Sequence, residues 1–206
     1  MAAPATDAGH AAFYLVTHPD VVITRDVPVP RWPLSERGLA RMRAGLRQPW
    51  VDGVKAIYCS TEQKAIDGAR VLAEHLALPF TEVADLGEND RSATGFLPPA
   101  EFEAVADAFF AQPWQSVRGW ERAIDAQARV VRAVEAIAAA ERDTARVAIV
   151  AHGAVGTLLY CHLAGLVIDR RWDQPPNKGG NYFGFSLEPR GVASWWRAID
   201  AEFVES

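Results

Sequence analysis

Three observations predict a three-layer α/β/α sandwich with a mostly parallel central sheet. Short apolar runs at Ala12–Val16, Val54–Cys59 and Arg146–Ala151 are each followed, directly or after a loop, by a helical pattern. Strands alternating with helices in this way build parallel sheets covered on both faces. Each run ends in polar or small residues, namely Thr17-His18-Pro19, Ser60-Thr61 and His152-Gly153, as a buried strand does where it surfaces. The chain of 206 residues, 50% hydrophobic and 23% charged, is long enough to bury roughly 70% of its unfolded surface without a disulfide or metal staple.

The elements follow in order. Residues 1–11 are small and polar and read as a flexible N-terminal tail, leaving 12–206 as one α/β domain without repeat or linker. Ala12–Val16 is continuously apolar, the pattern of a buried strand. Pro28, Pro30 and Pro33 make 20–33 an extended loop. Ser35 suits the N-cap of a helix through about Leu46. After the Val54–Cys59 strand, Ser60-Thr61-Glu62-Gln63 has capping-box spacing and opens a helix to about Leu76, with Ala65, Ala69, Leu72, Ala73 and Leu76 on one face. Residues 83–92 read as loop, and Pro99 starts a helix to about Phe110. Glu121–Arg142 is the longest helical pattern, its stripe formed by Ile124, Val131, Val134 and Ile137 or Ala138. Beyond the Arg146–Ala151 strand, a helix from Val155 to Ala164 stops at Gly165. Residues 177–181 form a tight turn before strands at Tyr182–Leu187 and Ser194–Ala198.

The charge balance, 21 − 26 = −5, lacks the basic footprint of a nucleic-acid binder and gives no pull toward anionic membranes. Cys59 and Cys161 are far apart, in no metal-ligand spacing, and read as two buried thiols. His10 and His75 read as surface residues. Met1–Ala11 has neither the basic nor the apolar region of a secretory signal, and no apolar run approaches the ~18 residues of a membrane span, so a cytoplasmic protein is expected. Neither cofactor nor metal is called for. Exposed strand edges or an apolar helix face could pair two copies as a homodimer.

In parallel sheets, ligands gather beyond the carboxyl ends of the strands. There this chain places two histidines, His18 and His152, and one helical turn on, Lys64. A cation in the first turn of a helix opposes the macrodipole by ~0.3–1 kcal/mol unless an anion lies nearby. A lone histidine usually serves as a polar cap; two at equivalent strand ends, with a lysine, point to chemistry on an anion. No G-x-S-x-G, P-loop, H-E-x-x-H or dinucleotide fingerprint occurs, which leaves serine hydrolase, NTPase, zincin and nicotinamide chemistries without their signatures.

Phe13–His18, Leu34-Ser35-Glu36-Arg37-Gly38, Tyr58-Cys59-Ser60-Thr61, Leu86-Gly87-Glu88 and Val150-Ala151-His152-Gly153 stand in the order seen in the histidine phosphatase superfamily, which the chain resembles from about residue 12 to 187. That resemblance implies a phosphoglycerate mutase-like sandwich and a metal-independent phosphomonoester hydrolase acting through a phosphohistidine on a small phosphorylated metabolite. It implies His18 as nucleophile, Glu88 as acid and base, and His152 with Lys64 as stabilisers of the transferring oxygens. Thr17 and Gly153 flank the two histidines and are expected at the phosphate.

The sequence departs from the family at two points: Thr17-His18-Pro19 stands for R-H-G, and Lys64 for an arginine. A lysine keeps the charge but not the bidentate fork, and each lost contact removes ~1.5–3 kcal/mol of phosphate binding. Arg25 and Arg31, in the loop after His18, and Arg91, three residues past Glu88, are the candidates to compensate. An alternative follows from the same departures: an inactive family member that binds a phosphorylated or anionic ligand. A phosphoryl mutase ranks below both, because Pro19-Asp20-Val21 lacks the E-x-x-x-N arrangement that mutases share. Phe96, Phe102, Trp114 and Trp120 either line a lid or fill its core.

Overall fold

A computed structural model describes residues 12–142 and 146–202, so the expected tail and His10 lie outside the described residues. Seven strands form one sheet: β1 (Phe13–Thr17), β2 (Ala56–Cys59), β3 (Thr81–Glu82), β4 (Val147–Ala151), β5 (Asn181–Leu187), β6 (Arg190–Val192) and β7 (Arg197–Ala198). The order is β3-β2-β4-β1-β5-β6, with β7 also on β5. The first four strands pair in parallel, and β5 joins β1 antiparallel, starting an antiparallel extension through β6 and β7.

Strand β4, between β2 and β1, is buried along its whole length. Its side chains alternate between two cores. Val147, Ile149 and Ala151 join the cluster packed by α3 (Pro99–Ala111), α4 (Ala123–Ala140) and α5 (Gly153–Leu163). Ala148 and Val150 face the cluster under α1 (Glu36–Gly45) and α2 (Gln63–Leu76). This period of two, with helices on both faces, is the expected three-layer sandwich. Among the described residues no helix is long and apolar enough to cross a membrane.

Local chemistry explains most boundaries. Ser35 caps α1 by accepting the Gly38 N–H at 3.1 Å. Pro99 opens α3, and Gly165, at φ +66°, follows α5. Four expectations are corrected. The capping box at 60–63 does not form: α2 starts at Gln63, because the Ser60 hydroxyl is taken by His152 and the Glu62 N–H. Helix α4 buries Ala123, Ala126, Val130, Ala133, Val134 and Ile137, which leaves Ile124 and Val131 on the flank; alanines let the helix approach the core closely. The loop at 83–92 contains a 3-10 turn at Ala84–Leu86. Instead of one strand at 194–198, two short strands, β6 and β7, edge the sheet.

Cys59 and Cys161 are free and buried, their thiols pushed up to about 12 and about 11 by burial. Thiols so rarely ionised are inert packing groups.

Candidate active site

The carboxyl ends of β1 and β4 open on a cavity of about 440 Å³. Its walls include His18, Glu88, Asn89, Arg91, Gly153, Gln174 and Lys178. Parallel pairing of β1 with β4 sets Thr17 opposite Ala151, and this register brings the following residues, His18 and His152, side by side. Their rings stand edge to face with centroids 5.2 Å apart.

His18 Nδ1 lies 3.0 Å from its neighbour's carbonyl, Pro19 O, an acceptor that requires the proton on Nδ1 and leaves Nε2 as the lone pair. Burial, and then the positive charge of Lys64, pushes the ring's pKa down to about 4, so this lone pair is free at neutral pH. The backbone is equally fixed. Gly180 N–H donates to His18 O at 3.1 Å, and a Cβ on Gly179, at φ +75°, would collide with the same carbonyl oxygen.

Below it, His152 is completely buried. Its Nε2 is 2.6 Å from Ser60 Oγ and 3.4 Å from Glu62 Oε1, while Nδ1 has no partner among the described residues. Ser60 Oγ already accepts from Glu62 N, so its own hydrogen is available to Nε2. A neutral ring held in this way, or a fully protonated one, has an N–H at Nδ1 to offer a ligand. Burial holds the pKa of His152 well below the ordinary histidine value. Asn89, also buried, leaves its Nδ2 unpartnered on the cavity wall.

Glu88 meets the site from the loop before α3. Its carboxylate accepts from the N–H groups of Ala154 (3.2 Å) and Val155 (3.1 Å), in the first turn of α5. Its own N–H donates to Glu62 Oε1 at 2.9 Å. Burial raises its pKa, as does the Glu62 carboxylate, while Arg91 and the two helix amides pull against them. The net result is a carboxyl that keeps its proton more readily than an ordinary glutamate.

The expected phosphate grip is altered. Lys64 is neither solvated nor free in the cavity. It is buried, its ammonium paired with Glu62 Oε2 and donating to Val29 O at 3.0 Å. Although burial opposes ionisation of Glu62, its interactions with His152 and Lys64 and its hydrogen bonds to Lys64 and the Glu88 N–H hold the carboxyl down at about 2. Thr17 is also committed elsewhere: its hydroxyl bonds Gln174 Oε1 at 2.7 Å and accepts from Asn181 N at 3.0 Å. Arg25 is outside the site, exposed and stacked 5.7 Å over Phe96. Arg31 is exposed in a 3-10 turn.

Arg91, in contrast, lines the cavity, its guanidinium carbon 5.1 Å from the Phe102 ring centre and 5.6 Å from that of Trp120. Phe102 and Trp120 thus serve both wall and core, whereas Trp114 is exposed and Phe96 packs on Trp32. Gly153, the first residue of α5, has Gln174 Nε2 2.5 Å from where a Cβ would stand, so a side chain there would have to displace the Gln174 amide. Of the sequence-expected residues, His18, Glu88, Arg91 and Gly153 share the cavity wall, His152 lies beneath, and Thr17 and Lys64 support from behind. Glu62, Asn89 and Gln174 were not expected there; for Glu62 the only sequence signal was its position two residues before Lys64. No cluster of histidine, cysteine and carboxylate side chains that could hold a metal occurs among the described residues.

Comparison with known proteins bears on the fold and on the family. No curated protein matches the chain in sequence. A mycobacterial glucosyl-3-phosphoglycerate phosphatase, solved with inorganic phosphate, superposes with a TM-score of 0.77 at 20% identity, over 94% of this chain and 100% of that one. YhfR of Bacillus stearothermophilus gives 0.69 at 25% identity, covering 87% and 93%. The α-ribazole phosphatase of Shigella flexneri gives 0.63 at 18%, covering 94% and 99%. These likenesses are to the fold. The family model for the histidine phosphatase superfamily (branch 1) matches residues 14–183, and with its strand-end histidines in place the chain belongs to that superfamily.

Proposed function

We propose that the protein hydrolyses phosphate monoesters of small metabolites without a metal, through a phosphohistidine. The observation that carries the proposal is His18, fixed through Nδ1 with its Nε2 lone pair free, sharing one cavity with Glu88, a carboxyl that burial pushes toward its protonated form. In the first step the Nε2 lone pair of His18 forms the N–P bond while the P–O bond to the alcohol breaks. Glu88 gives its proton to the departing oxygen. In the second step Glu88, now a carboxylate, takes a proton from water as the water oxygen attacks phosphorus, and the P–N bond breaks to release His18 and phosphate. Phosphoryl transfer relies mainly on alignment and charge stabilisation. His152 Nδ1, Asn89 Nδ2 and the guanidinium of Arg91 are the donors for the phosphoryl oxygens, and Arg91 takes over the role of the missing arginine.

A second reading, a ligand-binding protein without turnover, is favoured by one observation: Glu62 neutralises Lys64, while the Thr17 hydroxyl is fully engaged. One experiment separates the two. Phosphate release from p-nitrophenyl phosphate and a panel of phosphorylated metabolites is measured with chelator present, for wild type and His18→Ala. Release that survives chelator and disappears in His18→Ala supports the hydrolase. Folded protein that is stabilised by phosphorylated ligands yet releases none establishes the binding reading.

A further inference from the structure

Behind the cavity, Arg129 on α4 uses every donor it has. Nε donates to Glu121 Oε1 (3.0 Å), and the terminal nitrogens donate to Glu121 Oε2 (2.8 Å) and to the carbonyls of Asp85 (2.8 Å), Gly87 (3.0 Å) and Glu88 (3.2 Å). Five N–H groups in a rigid plane fit five acceptors, a task a lysine cannot perform. Glu121 completes the grip: its Oε2 accepts the Asp90 N–H at 3.1 Å, and its own N–H donates to Asp90 O at 2.9 Å. Main-chain groups of Asp85, Gly87 and Glu88 are thereby tied to α4, and those of Asp90 to the residue two before it.

We infer that Arg129, with Glu121 as its brace, is the positioning residue for Glu88. The inference rests on the hydrolase reading. Arg129 touches neither substrate nor reacting atoms. It fixes the main chain from which the general acid projects, so that the carboxyl meets the leaving oxygen on one side and the α5 amides on the other. Among the described residues the rest of this segment is loop or 3-10 turn, which without such a clamp would hold a side chain loosely. Misplacement by about 1 Å costs on the order of 10²-fold in rate.

The test exploits leaving groups. Protonation matters greatly for an alkyl alkoxide and little for p-nitrophenolate, so a displaced general acid slows alkyl phosphates selectively. We compare kcat/KM for an alkyl phosphate and for p-nitrophenyl phosphate in wild type, Arg129→Lys, Glu121→Gln, Glu88→Gln and Arg129→Lys/Glu88→Gln. Expected is a loss in Arg129→Lys about tenfold or more larger on the alkyl ester, a smaller loss of the same kind in Glu121→Gln, and no further selective loss when Arg129→Lys is added to Glu88→Gln. Equal losses on both esters, or additive losses with Glu88→Gln, overturn the positioning role and leave the hydrolase reading standing. Wild type without His18-dependent release overturns both. Should Arg129→Lys fail to fold, Glu121→Gln alone decides, because it keeps the arginine and loosens only its brace.

Discussion

Glu62→Gln tests whether the buried pair beneath the cavity behaves as its geometry requires. Only 3% of the Lys64 side chain and 11% of that of Glu62 are exposed, so water screens their attraction little. The substitution is nearly isosteric and keeps an acceptor for the Glu88 N–H, but it leaves a buried ammonium without its counter-charge. Removing one partner of a buried pair costs about 3–5 kcal/mol. The pKa of Glu62 agrees in sign: its neighbours His152 and Lys64 hold the carboxyl down at about 2, below the ordinary carboxylate range. This contribution is complete above the ordinary value and is lost as pH falls toward 2. In a chain of this size, 3–5 kcal/mol lowers Tm by roughly 6–20 °C. Urea unfolding and thermal melts at pH 7 measure it. The companion variants are Lys64→Met and the double Glu62→Gln/Lys64→Met, which removes both charges and recovers much of the loss. A cost below about 1 kcal/mol for Glu62→Gln, or a double variant whose cost equals the sum of the singles, refutes the reasoning.

Three further outcomes are expected. Activity rises as pH climbs through about 4, where His18 loses its proton, and falls as Glu88 ionises at its raised value, so a kcat/KM profile peaks on the acid side of neutrality. Arg91→Ala removes a charge-assisted contact of ~1.5–3 kcal/mol and lowers kcat/KM by about 10- to 150-fold, with the melting temperature showing only the loss of its stacking. Gly179→Ala forces a side chain onto the His18 carbonyl at positive φ, destabilises by more than about 1 kcal/mol in urea, and reduces turnover per folded molecule.

Strands β1, β2 and β4 were legible because both faces of a parallel sheet are buried, and continuous apolar runs result. Strand β3 was not: Thr81 and Glu82 are exposed and become a strand only by pairing with Tyr58 and Cys59. In α4 the large apolar residues suggested a stripe, of which Val134 and Ile137 are buried; Val130 and three alanines, at 123, 126 and 133, complete the core face in place of Ile124 and Val131. His18, Glu88 and His152 were readable as a set from strand ends and motif order. Their support was not. Glu62 reaches Glu88 across 26 positions and Thr17 reaches Gln174 across 157, contacts that no local pattern encodes. Arg25 and Arg91 looked equivalent as loop arginines until their loops were placed.

The main chain around His18 is held from far along the sequence. Gly180 holds its carbonyl, Gln174 and Asn181 hold Thr17, and Arg41 joins Asp20 to both Asn177 O and Asp200. Residue 18 is made well before residue 200, yet it gains its working surroundings only after residue 200 has been added and folded back. A ribosome-bound or C-terminally clipped chain would carry the histidine without its clasp. A cut between α5 and β5 would fall between the histidine and the residues that hold it, with β5 still paired to β1.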